Sequence, residues 1–174
     1  SDVCSSDLKY GADLQDVHHL LQLAVDLGVK ITGVNFHVGS GCLDPNAFSK
    51  AVSAARTIFD MAASMGHQMS VLDVGGGYPG GSAKIGLSTH IHGDEAKTMP
   101  DIVTVAKHLN EALEANFPES SEARLYGEPG CYMVTQSHTL LANVIGRKTL
   151  TAGTGAELAY YINDGIYSSD RKST

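Results

Sequence analysis

Three observations predict an α/β fold with parallel strands. Helix-period and strand-period segments alternate from about residue 13 to residue 126, each strand-like run ends in a glycine-containing loop, and the residues best suited to chemistry stand at those strand ends. From Asp13 to Leu27 the apolar residues Leu14, Val17, Leu20, Leu21, Ala24 and Leu27 recur at three and four positions, the spacing of one helical face, and Gly28 is placed to stop the helix. Val29 to Val38 carries Ile31, Val34, Phe36 and Val38 and predicts a buried strand that ends in Gly39-Ser40-Gly41. Asp44-Pro45 predicts a helix start, with Asp44 as the cap and Pro45 in the first turn, where its missing N–H costs nothing.

The helix that follows should bury Phe48, Val52, Ala55, Phe59 and Ala62 and run until Gly66. A second strand is expected at Met69 to Val74, ending in Gly75-Gly76-Gly77. An insertion with glycine, serine and histidine runs from about Gly80 to Met99. A third helix is expected from Pro100 to about Ala115, with Ile102, Val105, Leu109 and Leu113 aligned. A third strand at about Ala123 to Tyr126 leads into Gly127-Glu128-Pro129-Gly130. Helices that join parallel strands put the functional loops at the carboxyl ends, whether in a (β/α)8 barrel or in an open doubly wound sheet. From His138 onward the pattern changes to strand-like runs, Thr139 to Ile145 and Leu158 to Ile162, with no helix between them, so a second, mostly β domain is expected to begin there.

Composition narrows the function classes. The chain has 174 residues, 43% of them hydrophobic, enough for one core of ordinary size. No apolar run reaches the roughly 18 to 20 residues of a membrane helix, and the first residues lack the order of a signal peptide, so the expected location is the cytoplasm, with no membrane partner. Twelve basic against nineteen acidic residues give a net charge of −7. Without a Lys/Arg cluster, this argues against nucleic acid and suits a cationic small molecule better. Cys4, Cys42 and Cys131 show no paired spacing, so no zinc knuckle or disulfide framework is expected. The chain opens with Ser1 rather than Met and closes soon after a strand-like run, which reads as a fragment. Residues 1–8 have no periodicity and read as a scar, an artefact or a divergent stretch.

Each motif has a bland alternative. Gly75-Gly76-Gly77 lets backbone N–H groups approach a phosphate, because no Cβ obstructs them; a tight turn alone would explain it equally well. His37 and Ser40 would meet at the functional rim, unless His37 is merely satisfied by backbone. Glu128 is a carboxylate at a strand end, costly to bury unless a cation or an N–H meets it, and a structural ion pair is its plain alternative. His90 and His92 have metal-binding spacing but no obvious third ligand, so a solvated loop is favoured and no metal is expected. At least one of His18 and His19 should face water.

Taken together, Lys9-Tyr10-Gly11-Ala12, Gly33-Val34-Asn35-Phe36-His37-Val38-Gly39-Ser40-Gly41-Cys42, Asp44-Pro45, Ile58-Phe59-Asp60-Met61, Leu72-Asp73-Val74-Gly75-Gly76-Gly77-Tyr78-Pro79-Gly80, Glu128-Pro129-Gly130 and Tyr160-Tyr161-Ile162-Asn163-Asp164-Gly165-Ile166-Tyr167 occur in the order seen in ornithine decarboxylases. From Lys9 to Ser169 the chain resembles the fold-type III, pyridoxal-phosphate-dependent amino-acid decarboxylases of the ornithine type. Diaminopimelate decarboxylases share the Glu-Pro-Gly element but look less like it at the first glycine loop and the Asn-Asp-Gly strand. The resemblance implies the carboxyl-terminal half of an alanine-racemase-like (β/α)8 barrel over residues 9–137, followed by the start of a carboxyl-terminal β domain over residues 138–174.

It further implies pyridoxal 5'-phosphate as cofactor, with His37 stacked on its ring and Ser40, Gly75, Gly76 and Gly77 on its phosphate. Glu128 would face the pyridine nitrogen, with Gly130 and Cys131 in the turn beyond. The implied parent reaction is decarboxylation of a basic amino acid, ornithine to putrescine in polyamine biosynthesis, by a homodimer open to an antizyme-type regulator. Lys9 and Tyr167 match positions near the family's dimer interface. Two departures stand out. The family has arginine where this chain has Cys131, which removes a fork-shaped cation from the phosphate. The Schiff-base lysine precedes the region covered and the distal catalytic cysteine follows it; none of Lys9, Lys30, Lys50 or Lys84 matches the lysine's motif. A non-catalytic regulator of the antizyme-inhibitor kind, a related lysine, arginine or diaminopimelate decarboxylase, and a phosphate-binding barrel without pyridoxal are the competing readings.

Overall fold

The computed structural model describes residues 11–80, 100–137, 139, 141–152 and 155–164. The chain divides into two compact units, Ser1–Ser137 and His138–Thr174. In the first, helices α1 (Val17–Asp26), α2 (Ala47–Ser64) and α3 (Ile102–Asn116) alternate with strands β1 (Gly33–Asn35), β2 (Val71–Asp73) and β3 (Arg124–Tyr126), and a short helix α4 (Gly130–Val134) follows. The strands form one parallel sheet in the order β1-β2-β3. Val34 is in register with Leu72 and Leu72 with Leu125.

Strands β1 and β2 are shorter than the expected runs, because parallel pairing covers only three residues of each, whereas β3 matches its expected run to within one residue. The ladder nonetheless continues into the loops. Phe36 N–H donates to the Asp73 carbonyl (3.1 Å), Val74 N–H to the Tyr126 carbonyl (2.9 Å) and Glu128 N–H to the Gly75 carbonyl (2.7 Å). Every loop that carries a candidate site residue is thereby tied to its neighbour by a main-chain bond.

Helix α2 supplies the core. Phe48, Val52, Ala55, Phe59 and Ala62, spaced four, three, four and three apart, are all buried, as the periodicity predicts. Phe48, Val52, Ala55 and Phe59 share one core with Leu72 and Val74 of the β2 segment and Val105, Leu109 and Ala112 of α3. Phe59 meets Phe117 edge to face at 5.0 Å, with the Arg56 guanidinium lying over both rings. Ser49 Oγ donates to the His108 carbonyl (3.0 Å), a polar clasp between α2 and α3. Helix α1 is attached more lightly: only Leu21 and Ala24 are buried, and His67 donates from Nε2 to the Leu21 carbonyl (3.1 Å).

Two helix starts differ from expectation. Helix α1 begins at Val17, because residues 14–16 form a turn that leaves Leu14 exposed. Helix α2 has Asn46 at its cap position, where the Asn46 side chain makes no capping bond, and Asp44 stands two residues earlier. The Asp44 carboxylate accepts the Asn46 N–H (2.9 Å) and pairs with Lys50 (2.7 Å), so it closes the turn before the helix, and Pro45 lies in that turn. Its carboxyl is held below the usual aspartate value by the Lys50 and Asn46 hydrogen bonds. Helix α3 starts at Ile102 with Asp101 as a true cap, accepting the Thr104 N–H at 2.7 Å.

The second unit is an antiparallel hairpin of β4 (Val144–Ala152) and β5 (Gly155–Ile162), irregular between Val144 and Gly146. Asn143 and Asn163 close its open end: Asn143 N–H donates to the Asn163 side-chain oxygen (2.8 Å), and Asn163 N–H to the Asn143 carbonyl (3.0 Å). Among the described residues no helix is long and apolar enough to cross a membrane.

Candidate functional site

The three parallel strands deliver three loops to one end of the sheet. His37 follows β1, the glycine loop follows β2 and Glu128 follows β3. Gly76 N–H donates to His37 Nδ1 at 3.2 Å, which joins the first two loops, and the Glu128 bond to Gly75 joins the second to the third. His37 therefore presents Nδ1 as an acceptor, which leaves Nε2 as the proton-bearing nitrogen of the neutral ring. The plain alternative of a backbone-satisfied histidine holds for Nδ1, while the side chain stays exposed at the rim.

The glycines are needed where they stand. Gly75 has φ +61, and a Cβ there would run into the Phe36 carbonyl. At Gly76 a Cβ would lie 2.8 Å from His37 Cε1 and 2.9 Å from the Glu128 carbonyl oxygen, closer than real contacts permit. The bare loop is what lets the imidazole and the Glu-Pro-Gly turn converge. Two of its N–H groups are already used within the chain, Gly75 to Asp73 Oδ1 (2.9 Å) and Gly76 to His37. This division of labour is invisible in a glycine triplet read as sequence.

Ser40 comes into reach of the third loop: Cys131 Sγ lies 3.9 Å from Ser40 Oγ. Gly130 opens α4, and Gly80 packs under the Cys131 carbonyl. Glu128 is exposed, and among the described residues no ion pair involves it, so the structural ion-pair alternative has no support there. Sequence reasoning missed two neighbours. Asp73 closes onto Gly75, for which the signal was an Asp two residues before a glycine. Tyr78 stacks on Phe48 (ring centroids 5.1 Å) and brings its hydroxyl 3.1 Å from the point where a Cβ of Gly127 would stand. Burial lifts the Tyr78 phenol above the ordinary tyrosine value, and the Asp73 charge adds to the shift.

The other candidates lie elsewhere. His18 and His19 are both exposed on α1. Lys30 is exposed, and Lys50 is bound to Asp44. Lys9, Lys84, His90, His92 and Tyr167 lie outside the described residues.

An imidazole, a glycine loop and a carboxylate are thus gathered at the carboxyl ends of three parallel strands, the end at which α/β folds carry their ligand sites. The chain belongs to the pyridoxal-dependent decarboxylases of fold type III: the model of the "Pyridoxal-dependent decarboxylase, pyridoxal binding domain" matches residues 2–135. Within that family it is similar to ornithine decarboxylase of Rattus norvegicus, 40% identical over 96% of this chain and 35% of the relative. It is also similar to antizyme inhibitor 2 of Xenopus laevis, 38% identical over 93% of this chain and 34% of the relative. Among solved structures, the arginine decarboxylase of Paramecium bursaria Chlorella virus matches with a TM-score of 0.65 and 30% identity, over 94% of this chain and 38% of that one. The chain thus spans about a third of the length of the curated relatives it matches.

Proposed function

We propose that this chain is the pyridoxal-phosphate-binding region of a longer enzyme that decarboxylates a basic amino acid, with L-ornithine as substrate and putrescine as product. The observation that carries the reading is the joining of His37, Gly75, Gly76 and Glu128 by main-chain and ring hydrogen bonds at one end of a parallel sheet. A phosphorylated pyridine fits these residues, since the loop is bare of Cβ atoms where His37 and Glu128 approach and the donor set offers an imidazole, a hydroxyl and a carboxylate. His37 would pack on the ring, and Ser40 with the Gly77 N–H would bind phosphate, with Gly130 and Cys131 alongside. Glu128 would hold a proton on the ring nitrogen. When bound, the cofactor supplies the sink for the electrons left behind by carbon dioxide.

In this reading residues 9–137 are the carboxyl-terminal half of a (β/α)8 barrel and residues 138–174 begin a β domain, which the division after Ser137 supports. The intact protein would be a cytoplasmic homodimer. The lysine that attaches the cofactor and the distal cysteine would be contributed by chain beyond this region.

Glu128→Gln tests the assignment. In the intact protein this variant should keep its fold and its bound cofactor while turnover falls by at least about 100-fold, a size expected for loss of a group that acts on developing charge. Wild-type turnover in cofactor-loaded Glu128→Gln would refute the role. A second reading, a non-catalytic antizyme-binding regulator, is favoured by Cys131 in place of the arginine and by the similarity to antizyme inhibitor 2. Cofactor absorbance on the intact protein separates the two.

A further inference from the structure

We propose that Asp73 is a positioning residue that presets the glycine loop for its ligand, an inference that rests on the cofactor reading given above. Asp73 is the last residue of β2, and its Oδ1 accepts the Gly75 N–H at 2.9 Å, two residues on. Such a ring turns the chain sharply at the strand end. Gly75 then takes φ +61 and its carbonyl receives the Glu128 N–H, while the next N–H, that of Gly76, reaches His37 Nδ1. One carboxylate therefore stands upstream of the contacts that place both the imidazole and the Glu-Pro-Gly turn.

Its charge has the wrong sign for a group that would touch phosphate, so the contribution of Asp73 is its acceptor oxygen and not its charge. This separates the effects of two substitutions. Asp73→Asn keeps a side-chain oxygen for the Gly75 N–H and removes the repulsion, whereas Asp73→Ala removes the acceptor.

The test uses the intact protein in three forms, wild type, Asp73→Asn and Asp73→Ala, with pyridoxal phosphate titrated into each and amide hydrogen exchange followed residue by residue. Asp73→Ala should bind the cofactor about 10-fold more weakly, the size of one lost hydrogen bond. Asp73→Asn should bind it as well as the wild type or more tightly. Exchange in Asp73→Ala should quicken at Gly75, Gly76 and Glu128 but not at Leu72; a residue that merely supported the fold would loosen Leu72 as well. Equal losses in both variants, or an Asp73→Ala loop as protected as the wild type's, would overturn the proposal. Should Asp73→Ala fail to fold, Asp73→Asn decides alone, since loss of Gly75 protection there refutes the acceptor role. A wild type that binds no pyridoxal phosphate would sink the cofactor reading, and the exchange comparison would still show whether Asp73 sets the loop.

Discussion

Strands β2 and β3 are register partners in the same sheet, yet they live in different surroundings. Leu72 on β2 is fully buried between its neighbours and the α2/α3 layer, whereas Leu125, directly beside it on β3, is 47% exposed, and Tyr126 is 50% exposed. Among the described residues β3 has a strand on one side only. Strand β1 has one strand neighbour too, but Val34 and Phe36 pack against the core. β2 has its full complement of partners, and β3 carries apolar side chains of the kind that another strand and helix would cover. A chain that spans about a third of its relatives' length agrees with that reading.

The largest expected effect breaks the two strands apart. Leu72→Ala should cost about 2 to 5 kcal/mol wherever the sheet is folded, as deletion of a buried leucine side chain does. Leu125→Ala should cost less than about 1 kcal/mol in the 174-residue chain but approach the Leu72 value in the intact protein, where the barrel would close over β3. Chemical denaturation of both variants in both contexts checks this. Similar small losses for Leu125→Ala in both contexts would mean that β3 is a true edge.

A smaller effect probes the residue that links the two loops. Tyr78 follows β2 and lies against Gly127, which follows β3. Its phenol is raised first by burial and then by the Asp73 charge, so the stability it contributes is complete below the unfolded value and is lost as pH rises through the folded one. The window opens above about pH 10. Tyr78→Phe should therefore lose less stability than the wild type between neutral and strongly alkaline pH, as thermal melts would record. Parallel pH curves would place the alkaline transition on other groups.

The same contrast explains how far the sequence could be read. All five core positions of α2 were legible because one helix face carries them at strict spacing, and the α-β order followed from the switching period. The lengths of β1 and β2 were not, since an apolar run looks alike whether three residues pair or eight do. Asp44 was legible in part: its carboxylate accepts the N–H two residues on, as a cap does, while the α-helix itself begins only at Ala47. At the site, His37, the glycine loop and Glu128 were visible as residue types at strand ends. The allocation of N–H groups was not, because it depends on which loops become neighbours: Gly76 is bonded to a residue 39 positions away.

The central claim is that the loops of β1, β2 and β3 form one cradle for pyridoxal phosphate. Gly76 is the point where all three meet, so equilibrium titration of the intact protein and its Gly76→Ala variant with pyridoxal phosphate, followed by cofactor fluorescence, tests it most directly. The wild type should saturate at one cofactor per chain. Gly76→Ala, whose new Cβ would press on His37 and the Glu128 carbonyl, should bind at least about 10-fold more weakly. Equal affinities in the two proteins, or a wild type that takes up no cofactor, would contradict the account.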